Sequence, residues 1–341
     1  MKKKSKKRII LLAVMTIFGI LLIGGGLFYK YANLRYNGQP LRLYLEAGMS
    51  RQALTDTLTS RLGSDYGQRV DGLLSKMGNL DSVAAGSYAV EPGTPAWRLA
   101  RNISQHRQTP VKLSFNNLRT LSQLSERVGS LMQISATDFT AATDSILHSR
   151  GVDKANYAGY FLPDTYEFYW TDKADVVVNK IIANYDSFWS DDRVKKAEAL
   201  SLTPEQVSTL ASIVEEETNK ADERPKVARL YLNRLNRGMK LQADPTVKFA
   251  VGDFSLRRIL AEHLRVNSPY NTYRVYGLPP GPIRLAEAST LDAVLNAPQH
   301  QFIYMCASVS RLGYHEFATS FETHQKNAAQ YRKWLDDNGI K

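Results

Sequence analysis

The sequence predicts an α+β protein in which a single N-terminal transmembrane helix precedes a small α+β module and then a larger α+β domain. Three observations carry this expectation. A basic cluster is followed by an uncharged run of 21 residues, Ile9 to Tyr29. Short alternating segments, the first being Leu41 to Leu45, are interleaved with stretches whose apolar residues recur at helical spacing. The chain has 341 residues, 43% of them hydrophobic and 23% charged, enough for an anchor plus one large or two smaller domains of roughly 100–200 residues each.

The run from Ile9 to Tyr29 is long enough to cross a hydrocarbon core of ~30 Å as a helix. Lys2, Lys3, Lys4, Lys6, Lys7 and Arg8 precede it, so positive charge is expected to keep the N-terminus cytoplasmic and send the chain after Lys30 to the opposite face. A cleaved signal peptide is the competing reading. Its apolar region is usually about 7–15 residues long and ends in a small-residue site, whereas this run is longer and ends Gly24-Gly25-Gly26-Leu27-Phe28-Tyr29. A retained anchor is therefore expected.

The formal charge of +11 contains those six cations, and the remaining +5 is spread among acidic residues. That distribution argues against a basic stripe, and no nucleic acid is expected as a partner. Cys306 is the only cysteine, which rules out an intrachain disulfide; within Phe302-Ile303-Tyr304-Met305-Cys306-Ala307 it reads as core.

Residues 1–8 form a basic tail, 9–29 the span and 30–39 a polar, aromatic connector. Leu41 to Leu45 then reads as a strand, Ser50 to Leu62 and Val70 to Met77 as helices, and Gly86 to Val90 as a strand ended by Glu91-Pro92-Gly93. Thr94 is placed to cap a helix from Pro95 to Ser104. The order strand, helix, helix, strand, helix over residues 40–108 resembles a LysM-like subdomain, a class that binds N-acetylated sugar polymers. Pro110 to Phe115 reads as a strand opening the larger domain, 109–341, and Leu121 to Met132 as a helix. Gly159 to Tyr169 concentrates aromatic residues around a turn, either as a loop packed on the core or as a wall for sugar rings. A hairpin of Phe302 to Ala307 with Gly313 to Thr319 and a helix from Phe321 close the chain.

The most informative stretch runs from Leu202 to Thr218. Thr203 with Gln206 makes a capping box and Pro204 takes the first helical position, so a helix starts there. At about 100° per residue, Val207, Leu210, Ala211, Val214, Thr218 and Ala221 form one apolar stripe. With Val214 at zero, Glu216 points about 200° away, Glu215 about 100° to one side, and Glu217 about 60° to the other, beside Leu210 and Ile213. Three successive glutamates otherwise read as a solvated face. Glu217, on the buried margin, is the one whose pKa desolvation should raise, as a general acid working near neutral pH requires.

Ala211 to Thr218, Glu223-Arg224-Pro225-Lys226-Val227-Ala228, Tyr231 to Leu235 and Gly238 to Val247 together resemble the MltG (YceG-like) family of endolytic murein transglycosylases. The likeness continues through Tyr270-Asn271-Thr272-Tyr273 and Gly277 to Ile283, and takes in Ala85 to Tyr88 and Gly159 to Tyr166. The family's catalytic glutamate is the second of an E-x-E-T pattern, which falls on Glu217. This chain departs from the family at Asn116-Asn117, where a Glu-Gly turn is expected, and between Gly252 and Asn267.

The resemblance implies a membrane-anchored enzyme of the bacterial inner membrane whose extracytoplasmic part cuts peptidoglycan glycan strands without a cofactor. In the implied mechanism Glu217 protonates the oxygen between N-acetylmuramic acid and N-acetylglucosamine, then removes a proton from the C6 hydroxyl of the same muramic ring, which attacks C1 and leaves a 1,6-anhydro end. Gln242, Asp244, Asn271 and Tyr273, in the matched turn-rich segments, are expected to contact the sugar, with plain turn chemistry as their alternative. Glu215 is expected to reach the groove or orient a neighbour. Association with glycan-polymerising synthases is a further implied expectation. Two rival functions remain open: a hydrolytic muramidase with Asp244 as its second carboxylate, and a non-catalytic tethered peptidoglycan-binding protein. His106, His148, His263, His300, His315 and His324 show no metal-ligand spacing, no phosphate loop of the Gly-rich type is present, and a G-x-S-x-G nucleophile motif is absent.

Overall fold

The computed structural model describes residues 2–78, 84–256 and 258–339, with side chains from residue 11 onward. The side chains of the basic cluster, residue 257 in the divergent 252–267 segment, and residues 340–341 of the expected larger domain lie outside the described residues.

The first helix, α1, spans Lys2–Ala32, and its stretch Leu11–Ala32 has a mean hydropathy of 2.4 with apolar side chains standing exposed. It is long and apolar enough to cross a membrane. The chain divides into two compact units, Met1–Val111 with Glu167–Thr171, and Lys112–Tyr166 with Asp172–Lys341.

In the first unit, β1 (Leu41–Leu45), α2 (Arg51–Leu62), α3 (Ser64–Lys76), β2 (Gly86–Val90) and α4 (Ala96–Ser104) follow in that order. The strands pair antiparallel with Leu41 opposite Val90 and Leu45 opposite Gly86. Ser50 caps α2 through the Ala53 amide. Helices α2 and α3 pack so closely that a Cβ on Gly67 would come within 2.4 Å of the Leu58 carbonyl oxygen, so only glycine fits there. Leu43, Leu54, Leu58, Val70, Tyr88, Val90 and Leu99 fill the core. Thr94 does not cap α4: Pro95 is the N-cap, and the Thr94 carbonyl instead accepts from the Tyr36 amide (2.9 Å) and the Tyr66 hydroxyl (3.0 Å).

The second unit holds most of β3 (Val111–Phe115) and β4 (Asp164–Phe168), together with α5 (Leu121–Leu131), α6 (Ala136–Ser149), α7 (Ala174–Phe188), α8 (Asp191–Ala199), α9 (Pro204–Glu217), α10 (Arg224–Asn236), α11 (Asp244–Val251), α12 (Ala288–Leu295), β5 (Tyr304–Ala307), β6 (His315–Ala318) and α13 (Phe321–Asp337). Mixed helices and short strands make the fold α+β. Strands β3 and β4 form one small sheet, and β5 and β6 another, antiparallel with Met305 opposite Phe317 and Ala307 opposite His315. Cys306, expected in the core, is only partly buried on this two-stranded hairpin. In the aromatic turn, Tyr160, Phe161, Leu162, Tyr166 and Phe168 are buried; Phe161 meets Phe139 at 5.9 Å between ring centres, so the segment packs as core.

Helix α9 is the centre of this unit. The capping box of Thr203 and Gln206 starts it, with Pro204 in the first turn. An apolar stripe was expected, but every residue from Val207 to Glu215 is buried. Its polar members are satisfied locally: Ser208, Thr209 and Ser212 donate to carbonyls of the preceding turn, and Ser212 Oγ also accepts from the Ile283 amide at 3.0 Å. The helix stops at Glu217, because Thr218 is extended (φ −142°, ψ 132°), so Thr218 and Ala221 do not continue the stripe.

Candidate active site

The end of α9 places Glu215, Glu216 and Glu217 at a helix C-terminus, where the macrodipole disfavours negative charge. Two of the three are neutralised by arginines. Arg284 binds Glu215 Oε1 at 3.0 Å and Glu216 Oε1 at 2.9 Å, and its other contact is Asn117 Oδ1 at 3.0 Å. Arg119 makes a second pair with Glu216 at 2.8 Å. Glu215 Oε2 accepts from the Glu287 amide (2.9 Å) and the Thr290 hydroxyl (2.6 Å), with Arg224 at 4.0 Å. The Asn117 backbone is left-handed (φ 54°), a conformation that asparagine tolerates better than most residues, so the departure from a Glu-Gly turn keeps the turn and adds an acceptor for Arg284.

Glu217 is the third carboxyl, and no arginine or lysine pairs with it among the described residues. Its Oε1 accepts a 2.6 Å hydrogen bond from the hydroxyl of Tyr231, on α10. Burial pushes its pKa up to about 7, with Asp244 adding to the rise, while the Tyr231 hydrogen bond and the charges of His315 and Arg234 oppose it. Tyr231 itself is raised well above its ordinary value by burial and by the neighbouring carboxyl, so it stays a donor. One oxygen of Glu217 is thereby occupied as an acceptor, which leaves the other to carry the proton when the group is in its acid form.

A cleft of 180 Å³ opens over this carboxyl, lined by Glu217, Leu230, Tyr231, Arg234, Gln242, Asp244, Tyr273 and Met305. Arg234, one helical turn beyond Tyr231 on α10, is held by the carbonyls of Ile303 (2.6 Å) and Leu241 (2.5 Å). The opposite wall depends on Thr272, which is fully buried. Its carbonyl accepts the Gln242 amide (3.1 Å), and its hydroxyl accepts the Ala243 amide (3.0 Å) and meets Thr246 at 2.8 Å. Gln242 is held exposed at φ 50°, a costly conformation for a non-glycine residue and one that clusters at functional sites. Asp244 opens α11, and its Oδ1 accepts from the Tyr273 hydroxyl at 2.6 Å.

Of the residues singled out from the sequence, Glu217, Gln242, Asp244 and Tyr273 come together in this cleft. Glu215 and Asn271 do not line it. Glu215 is 2% exposed beneath the helix end. Asn271 is fully buried and braces its own loop, donating to the carbonyls of Leu264 (3.0 Å) and Val266 (2.8 Å) and accepting the Tyr273 amide (3.1 Å). Glu216, expected on a free face, is a partner of two arginines. Tyr231, Arg234 and Met305 were not singled out. For Tyr231 the signal was a polar aromatic inside the otherwise apolar series Val227, Ala228, Leu230 and Leu232.

A larger cavity of 640 Å³ lies at the other end of α9, bounded by Tyr160, Glu205, Gln206, Leu232 and Pro279 among others. Of the carboxyls that line it, Glu205 is engaged by the Tyr160 hydroxyl at 2.9 Å and Asp153 by the Ala155 amide at 2.8 Å, so size alone does not make it the reactive site.

The profile of the YceG-like family matches residues 43–330. The chain belongs to the YceG-like family. Curated relatives include an endolytic murein transglycosylase of Bacillus subtilis, 32% identical over 173 residues (51% of this chain and 47% of the relative). Another, of Streptococcus pneumoniae D39, is 27% identical over 293 residues (75% and 52%) and carries the same name. The chain thus spans about half the length of the curated relatives it matches. A crystal structure of a YceG-like protein from Listeria monocytogenes superposes with a TM-score of 0.58 at 24% identity, covering 84% of this chain and 98% of that one, which shows a shared fold. Within the YceG-like motif segments, the Gly277 to Ile283 run has a packing reason: a Cβ on Gly281 would fall on the Ala155 carbonyl oxygen.

Proposed function

We propose that the chain is a membrane-anchored endolytic murein transglycosylase that cleaves the bond between N-acetylmuramic acid and N-acetylglucosamine and leaves 1,6-anhydro ends, terminating or trimming nascent strands. The observation that carries the reading is Glu217, a carboxyl with no arginine or lysine ion pair among the described residues, raised to about 7 in a cleft and hydrogen-bonded through one oxygen to Tyr231. Such a group is protonated often enough near neutral pH to act as an acid, and once ionised it is a competent base. Glu217 gives its proton to the bridging oxygen, and that bond to C1 breaks. The carboxylate then takes the C6 hydroxyl proton as O6 bonds to C1, so the acid is regenerated and no water is consumed.

Gln242, Asp244 and Tyr273 are assigned to hold the sugar, with Tyr273 and Asp244 acting as one hydrogen-bonded unit. Glu215 and Asn271, placed outside the cleft, are assigned to shaping it. A hydrolytic route through Asp244 is disfavoured because that carboxylate already accepts from Tyr273. Mass spectrometry of ends released from purified strands decides between them: anhydro ends are expected, and ends carrying the mass of one added water would overturn the reading. A cleft that accepts internal bonds should also shorten the mean strand length early; steady release of disaccharides from one end would contradict endolytic action.

In the same reading residues 9–29 anchor the chain in the inner membrane, residues 40–108 are a LysM-like glycan-binding module and residues 109–341 the catalytic domain, with peptidoglycan synthases as partners. The basic cluster at the start of α1, ahead of its apolar stretch, supports a cytoplasmic N-terminus. A reporter active only outside the cytoplasm, fused after Lys341, is expected to be active. Activity of a cytoplasm-dependent reporter at the same position, with silence of the first, would refute the orientation.

A further inference from the structure

Beyond Glu217 the chain runs through Lys220, Asp222 and Glu223 into α10, and the tip of the β5–β6 hairpin is fastened to it residue by residue. A Cβ on Gly313 (φ 81°) would touch Lys220 Cε at 3.2 Å. The Tyr314 hydroxyl donates to both oxygens of Asp222 at 3.2 Å. Glu223 Oε1 accepts the His315 amide at 2.7 Å, and its Oε2 lies 2.9 Å from His315 Nδ1.

This fastening has two results. The hairpin is oriented toward Glu217: Met305 with Phe317 and Ala307 with His315 occupy one face of the sheet, and Met305 on that face lines the cleft. Two cations are also gathered on one ring, with the Arg311 guanidinium 3.9 Å and Lys220 Nζ 5.2 Å from the centre of Tyr314. Neither has an ion pair among the described residues. The acids nearby are committed elsewhere: Glu223 to His315, Asp222 to the Tyr314 hydroxyl, and Glu316, on the other face of the hairpin, to Ser308 (2.5 Å) and Ser310 (3.0 Å). The ring face attracts both cations but neutralises neither.

We propose that Lys220 and Arg311, seated on Tyr314, form a carboxylate-binding subsite beside the Glu217 cleft that reads an acidic group carried by the glycan strand. This rests on the glycan-cleaving reading above. Murein offers two sources of that chemistry, the carboxylates of the peptide stems and the lactyl carboxylate of muramic acid once a stem has been removed. Arginine suits a planar carboxylate, and lysine adds a point charge.

The test uses the full chain in detergent and its Lys220→Gln/Arg311→Gln double variant on three strand preparations. The first bears stems, the second is stripped to free lactyl groups, and the third is stripped with those groups converted to neutral amides. The double variant is expected to raise KM about tenfold on at least one charged preparation, with kcat within about twofold, and to match the parent on the neutral one. An effect confined to stem-bearing strands assigns the stem carboxylates; one confined to stripped strands assigns the lactyl group. Equal losses on charged and neutral strands, or no change in KM, overturn the subsite. Co-sedimentation of the same strands with Glu217→Gln protein, with and without the two substitutions, gives a turnover-free readout. If the parent makes no anhydro ends but its strand binding still depends on these charges, the proposed function fails and the subsite stands.

Discussion

Replacing Glu217 by Gln is expected to lower turnover by a factor on the order of 10²–10⁴ or more while the protein stays folded. Glutamine keeps the shape and still accepts the Tyr231 hydrogen bond, but it has no proton to give the leaving oxygen. The parent's own pH dependence follows from the same group. With the carboxyl raised to about 7, the acid form dominates below that pH and activity falls as pH rises through it. Stability moves with it: between the ordinary carboxylate range and about 7 the folded state holds a proton that the unfolded chain has released, so the parent loses stability as pH rises across that window. Glu217→Gln lacks that loss, and its melting temperature relative to the parent should climb from pH 5 to pH 7 and then level off. Glu216→Gln and Glu215→Gln keep the acid. Parental rates of anhydro-end formation by purified Glu217→Gln would dismiss this carboxyl as the acid.

What the sequence made legible was local. The capping box of Thr203 and Gln206 and the 3.6-residue period together put Glu217 on the margin of a buried helix, and the structure finds it there. The strands Leu41–Leu45 and Gly86–Val90, though not their pairing, and the late hairpin were likewise readable from alternation and turn residues. Illegible features depended on partners far along the chain. Glu215 and Glu216 read as solvent-facing or groove-facing because Arg284 and Arg119 lie 68 or more positions away, and no periodicity connects them. The Tyr231 hydroxyl reaches Glu217 only because α10 folds back along α9, and Asn271 took its stated alternative as a brace because side chains in turns satisfy backbone groups as readily as they meet ligands. The early stop of α9 was also hidden, since Thr218 and Ala221 fit the apolar stripe until the backbone turned.

The second large effect is expected at Arg284, which the sequence did not single out. Its side chain is 7% exposed and bridges two carboxylates at a helix end, one of them only 2% exposed. Truncation to Ala leaves Glu215 and Glu216 as adjacent anions on the unfavourable pole of α9. Arg119 still serves Glu216, but Glu215 keeps only Arg224 at 4.0 Å and its two neutral donors. Breaking one side of such a buried pair costs about 3–5 kcal/mol, because the remaining charge stays desolvated. Arg284→Ala should therefore lower the urea midpoint of the second unit by an amount matching that range, and Arg284→Lys should lose less because a cation remains. The decisive comparison is the double variant Arg284→Met/Glu215→Gln, which removes charge on both sides. It should be markedly more stable than Arg284→Met alone, since the unpaired anion rather than the missing contact is the source of the loss. Additive losses in that cycle, with the double variant weaker than either single one, would mean that Arg284 acts by packing and that the ionic clamp on the last turn of α9 is not what holds it.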